Sequence, residues 1–164
     1  LENDPSKVLI GQDISSSSIA LGKSFGSLSL PMTYSKLDED PKISILRVLQ
    51  REVLTNLTLN RHSLEKYIPD NPQSTFSIDI ADVHVDVYRI ILPSSLKKHI
   101  SSFKLQNLRF VPIKNVAKEL AIDSMYRSGV VEIIRTFVNL PTNLKQKPRI
   151  LSLLNHSLAL LAAK

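Results

Sequence analysis

The run STFSIDIADVHVDVYRIIL, Ser74 to Leu92, leaves this chain the fewest structural options. Phe76, Ile78 and Ile80 alternate with polar residues at even positions, and Val83, Val85 and Val87 do so at odd ones. Strict alternation sends successive side chains to opposite faces of a strand, so the run predicts β-structure with one apolar face. The change of phase around Ala81-Asp82 then requires a bulge or a tight bend. With that break, Asp79, Asp82, His84 and Asp86 share the face opposite the apolar one.

That row can be a ligand set or the wet side of a sheet. Asp82, His84 and Asp86 have the alternate spacing of strand-borne metal ligands, but neighbours on one strand face stand about 6.5–7 Å apart. Closing on an ion takes a further ligand from another strand, and the sequence has no cysteine and no second histidine cluster to supply it. A solvated face needs nothing more, because its charges can pair across the sheet with Lys104 or Arg109. The expectation is no cofactor and no metal, with Asp82, His84 and Asp86 as the residues that would hold one.

Around this core the chain reads as α+β. Residues 1–35 are rich in Ser and Gly and predict an extended arm with one or two short strands, able to pack on a neighbouring subunit. Asp38-Glu-Asp40-Pro41 opens a helix, since carboxylates complement its positive end and proline pre-sets its first dihedral. Ile43, Leu46, Leu49, Val53 and Leu57 supply its apolar stripe. A short helical turn is expected at Ser63 to Ile68, a short amphipathic helix at Pro93 to Phe103, and a second strand at Leu105 to Ile113 in the same sheet as the first. Asn115 can cap a helix running to about Arg127, Gly129 marks a stop or kink, and Val130 to Val138 has helical spacing. Pro141 to Pro148 is a basic linker, and Arg149 to Ala163 reads as a leucine-rich helix. The whole is one α+β domain, a small mainly antiparallel sheet packed on three to five helices.

Charge is polarised along this order. Leu1 to Asp86 carries 12 Asp or Glu against 8 Lys or Arg, whereas Val87 to Lys164 carries 3 against 13. The basic half favours phosphate, anionic lipid or acidic protein. Lys97, Lys98, Lys104, Arg109, Lys114 and Lys118 form one candidate anion or nucleic-acid set, and Lys145, Lys147 and Arg149 a second. Only nine residues are aromatic and none is tryptophan, so a nucleic acid would be held by its backbone rather than by stacked bases.

Catalytic patterns are missing. Gly22-Lys23-Ser24 ends like a phosphate-binding loop, but the glycine that must stand five residues earlier is Ser17. No nucleophile elbow, paired-histidine motif or dinucleotide fingerprint occurs. The last segment is more telling. Ile150, Leu151, Leu154, Leu158 and Leu161 lie on an arc too wide for one small domain to cover comfortably, which predicts burial against another chain or a part of the parent protein absent from this sequence; a central helix of the domain would give the same pattern.

The reading that follows is a non-catalytic assembly or scaffold module, a subunit of a larger complex or a self-associating structural protein such as a viral one. Its partner is another protein or a second copy. The alternative is a domain binding nucleic acid through phosphate contacts, with an anionic membrane surface as a further partner for the same lysines; an unrecognised enzyme or metal-binding domain comes third. No run approaches the length of a membrane span. Leu1 in first place suggests an excised or processed chain, and the lack of cysteine and of a visible signal peptide points to the cytoplasm or nucleus.

Overall fold

A computed structural model of the chain describes residues 6–17, 24–80, 83–118, 125–140 and 149–152, the last of these by backbone alone. The fold is α+β. In chain order it contains β1 (Lys7–Asp13), β2 (Leu28–Ser29), α1 (Pro41–Val48), a π-helical segment (Leu49–Val53), α2 (Thr55–Leu59), a 3-10 turn (Glu65–Tyr67), β3 (Phe76–Ile80), β4 (Val83–Val87), a second 3-10 turn (Ser94–His99), β5 (Leu105–Pro112), α3 (Ile113–Lys118), α4 (Val130–Asn139) and β6 (Arg149–Ser152). No helix among the described residues is long and apolar enough to cross a membrane.

The strands form two sheets, not the single one expected: β2-β1-β5, and β4-β3-β6. Their separation follows from which edges each strand satisfies. The described part of the extended N-terminal region is built into its own chain. β1 is the middle strand of its sheet, antiparallel to both neighbours. Its alternate residues face opposite sides: Val8 and Ile10 join a core with α3 and α4, while Leu9 joins the core under α1 and α2.

The phase change in the Ser74–Leu92 run is a chain reversal. β3 and β4 are antiparallel, with Phe76 opposite Val87, Ile78 opposite Val85 and Ile80 opposite Val83. Cross-strand partners share a face, so one turn brings the even and odd apolar sets together without any extra residue in the ladder. Regular pairing ends at Val87, short of the Ile91 to which this strand region was expected to run. Phe76, Ile78 and Ile80 are buried, and they close on Ile133 of α4.

At its far edge β3 pairs in parallel with β6, from Ser77 opposite Arg149 to Ile80 opposite Ser152. This overturns the helix expected from Arg149 over residues 149–152. An apolar run does not declare whether it is strand or helix, and here the open edge of the buried β3 selects strand by offering it unpaired backbone groups. The remainder of that expected helix, with Leu154, Leu158 and Leu161, lies outside the described residues.

α1 starts where the carboxylates and proline place it: Asp40 accepts from the Lys42 N–H at 2.8 Å, and Pro41 is its first residue. The inward stripe differs from expectation at one end, because Ile43 is 52% exposed and Ile45 takes the core position at 6%. Ile45 stands one helical turn before Leu49, so it lies on the buried side that leads into the next segment.

That segment is the unusual piece of the fold. The Leu54 N–H reaches back five residues to the Leu49 carbonyl at 2.7 Å, and the helix then breaks. The loosened turn exposes carbonyls that the chain at 101–103 takes up: Ser101 N–H donates to Val53 at 2.9 Å and Phe103 N–H to Arg51 at 3.0 Å. A π turn of this kind is tolerated where something inserts into the helical ladder.

α4 joins the two halves. Val130, Val131 and Ile134 pack in the core of the first sheet and Ile133 in that of the second. Gly129 precedes the helix with φ 90°, where a stop or kink after the previous helix was expected. The helix expected from Asn115 begins two residues earlier, at Ile113 directly after β5; residues 119–124 lie outside the described set.

Candidate functional site

The outer face of the β3–β4 hairpin carries the acidic row. The register sets Asp79 opposite His84 and Ser77 opposite Asp86, so these four side chains share one face. Asp79 Oδ1 and His84 Nδ1 are 2.5 Å apart, the Ser77 hydroxyl donates to Asp86, and His84 Nε2 stands 3.8 Å from Asp86 Oδ1. Asp82 lies outside the described residues. Among those described, no three His, Asp or Glu side chains are arranged to hold a metal ion. The row pairs with itself and not with Lys104 or Arg109, because both of those belong to the other half of the structure.

Lys104 has a different partner. Glu52, in the π-helical segment, is 3% exposed and accepts from Lys104 Nζ at 2.8 Å and from the Met32 N–H at 3.0 Å. The lysine charge is therefore engaged internally, tying three distant stretches of chain together. Lys97 and Lys98 sit exposed on the second 3-10 turn, Arg109 exposed on β5, and Lys114 and Lys118 exposed one helical turn apart on α3. Among the described residues no ion pair engages these five. Arg149, Ile150 and Leu151 lie in β6 by their backbone, and Lys145 and Lys147 are outside the described residues. The basic residues thus occupy separate elements, and Lys104 leaves the set.

A third surface was not legible beforehand. Leu37 and Asp38 form the tip of a turn closed by the Glu39 N–H to the Lys36 carbonyl at 3.2 Å, with Asp38 in the left-handed region at φ 56°. α1 clamps this turn. Glu39 accepts from Ser44 Oγ at 2.6 Å and from Arg47, Arg47 also donates to the Tyr34 carbonyl at 2.8 Å, and the Ser35 and Ser44 hydroxyls are 2.8 Å apart. The Arg47 guanidinium, with help from Ser44, holds the Glu39 carboxyl down to about 2. Leu37 is 94% exposed, Tyr34 60% and Ile43 52%. Ile43 lies one helical turn before Arg47 on α1, and Arg47 ties the Tyr34 backbone to that same helix.

Sequence reading assigned Ile43 inward and passed over Tyr34 and Leu37. The available signal was weak, an apolar residue directly before an Asp that tolerates positive φ. Compared with known proteins, the sequence matches no protein-family model and no curated protein.

Proposed function

We propose that the chain is a non-catalytic assembly module, a self-associating structural protein or a subunit of a larger complex, which docks through the turn at Leu37. The observation that carries this reading is a leucine almost wholly in solvent on a turn that five polar groups hold in place. Leaving it there forgoes about 1.5–3 kcal/mol of burial. A surface turn so firmly built around an apolar tip suits a contact whose other half is another protein. Sedimentation over a wide concentration range tests it: association that weakens at least tenfold in Leu37→Ser and Ile43→Ser supports the reading. A chain that remains monomeric throughout, or variants that associate unchanged, would count against self-association at this turn.

A second reading has its own support, since Lys97, Lys98, Arg109, Lys114 and Lys118 are exposed and outside the described ion pairs. Phosphate neutralisation by these residues would give nucleic-acid binding that falls steeply with salt and is largely indifferent to sequence. Titration with duplex DNA, RNA and anionic liposomes at two salt concentrations separates these partners, and no binding at low salt removes this reading.

A further inference from the structure

Between the end of α2 and the two 3-10 turns lies a concavity of about 200 Å³ with an apolar floor and a basic rim. Leu57, Leu64 and Leu96 make the floor, and His62, Lys66 and His99 stand on the rim. Each rim residue is held by its backbone or its neighbour. α2 closes with the paired hydrogen bonds of a helix-ending turn: the Arg61 N–H to the Thr58 carbonyl at 2.9 Å and the His62 N–H to the Leu57 carbonyl at 3.0 Å. Arg61 takes the left-handed position at φ 59° that this motif demands. His62 is thereby fixed directly beside the floor residue Leu57. Lys66 lies with its ammonium 5.1 Å from the centre of the Tyr67 ring, itself part of the wall. His99 ends the other turn, next to the exposed Lys97 and Lys98. Glu65, the acidic member of the nearer turn, does not line the cleft.

We infer that this cleft binds a small organic anion, a phosphate monoester on an apolar or aromatic body. The chemistry follows from the lining. Imidazole and ammonium donors at the rim suit phosphate oxygens, and three leucines with a tyrosine suit a flat hydrocarbon group beneath them. Size limits the choice, because ligand pockets for larger molecules run from about 300 Å³ upward. A cleft of about 200 Å³ takes a single ring with its phosphate and not a whole nucleotide.

Phenyl phosphate is the probe, with inorganic phosphate and benzyl alcohol as the two halves of its chemistry. Titration followed by NMR should show phenyl phosphate moving the His62 and His99 ring signals, with at least tenfold tighter binding than either half alone. Lys66→Ala and the double variant His62→Gln, His99→Gln should each weaken it at least tenfold, while Arg89→Ala, exposed and outside the cleft, should leave it unchanged. These rim residues are not in the core, so the folded chain survives their replacement. Absence of phenyl phosphate binding, equal binding of inorganic phosphate, or indifference to the rim variants would each overturn the site.

Discussion

At the scale of single residues, two positions expose how local chemistry is converted into structure. Glu39 is the hub of the Leu37 turn, and Arg47 and Ser44 lower its pKa from an ordinary 4.5 to about 2. A carboxyl whose folded pKa is depressed contributes stability that is complete above its unfolded value and is lost as pH falls through the folded one. The stability difference between the native chain and Glu39→Gln should therefore be constant above about pH 5 and shrink between 4.5 and 2, as read by urea denaturation at stepped pH. A difference that persists unchanged at pH 2 would remove Glu39 from the clamp. Gly129 makes a second test. An alanine there would meet left-handed backbone at φ 90° and place its Cβ 2.8 Å from Cδ1 of Ile80, which is itself buried. Gly26 also has positive φ, at 78°, but open space around it. Gly26→Ala should cost about 1 kcal/mol and Gly129→Ala about 2–4 kcal/mol, the difference being the clash with Ile80. Equal losses would show that the contact relaxes freely.

Among the elements, the π-helical segment has the widest reach. It releases carbonyls to Ser101 and Phe103, and it turns Glu52 inward to meet Lys104 and the Met32 N–H. Removing the lysine leaves a buried carboxylate short of its cation. Lys104→Met should destabilise by about 1–3 kcal/mol, and because Lys104 is partly exposed the loss should lie below the full cost of an orphaned buried charge. A double-mutant cycle with Glu52→Gln should recover part of that loss, and strict additivity would contradict direct coupling. The acidic hairpin face offers a contrast. His84 and Asp79 are close but substantially exposed, so water screens their attraction and the pair contributes little.

In the molecule as a whole, α4 decides whether the two sheets behave as one body. Its residues Val130, Val131 and Ile134 serve one core and Ile133 the other. Ile133→Ala should cost about 2–5 kcal/mol, and hydrogen exchange should show β1 and β3 amides losing protection together. Loss confined to β3 would mean that the sheets unfold separately. Much of this architecture was legible from local pattern: the alternation of residues 76–87, the Asp40-Pro41 start of α1, the helical spacing of α4 and the strand at 105–112. Such signals are fixed by neighbouring side chains and backbone dihedrals, so the sequence alone determines them. The tertiary structure decided the pairings. Nothing in Arg149-Ile-Leu-Ser152 states that β3 will have a free edge; nothing near Lys104 announces Glu52, 52 positions away. Leu37 shows the same limit in reverse, since an apolar side chain is ordinarily read as buried and only the clamp from Ser44 and Arg47 holds its turn outward. Periodicity reports which face is apolar, whereas the identity of the covering surface depends on hydrogen-bonding edges and charges that meet only when the chain has folded.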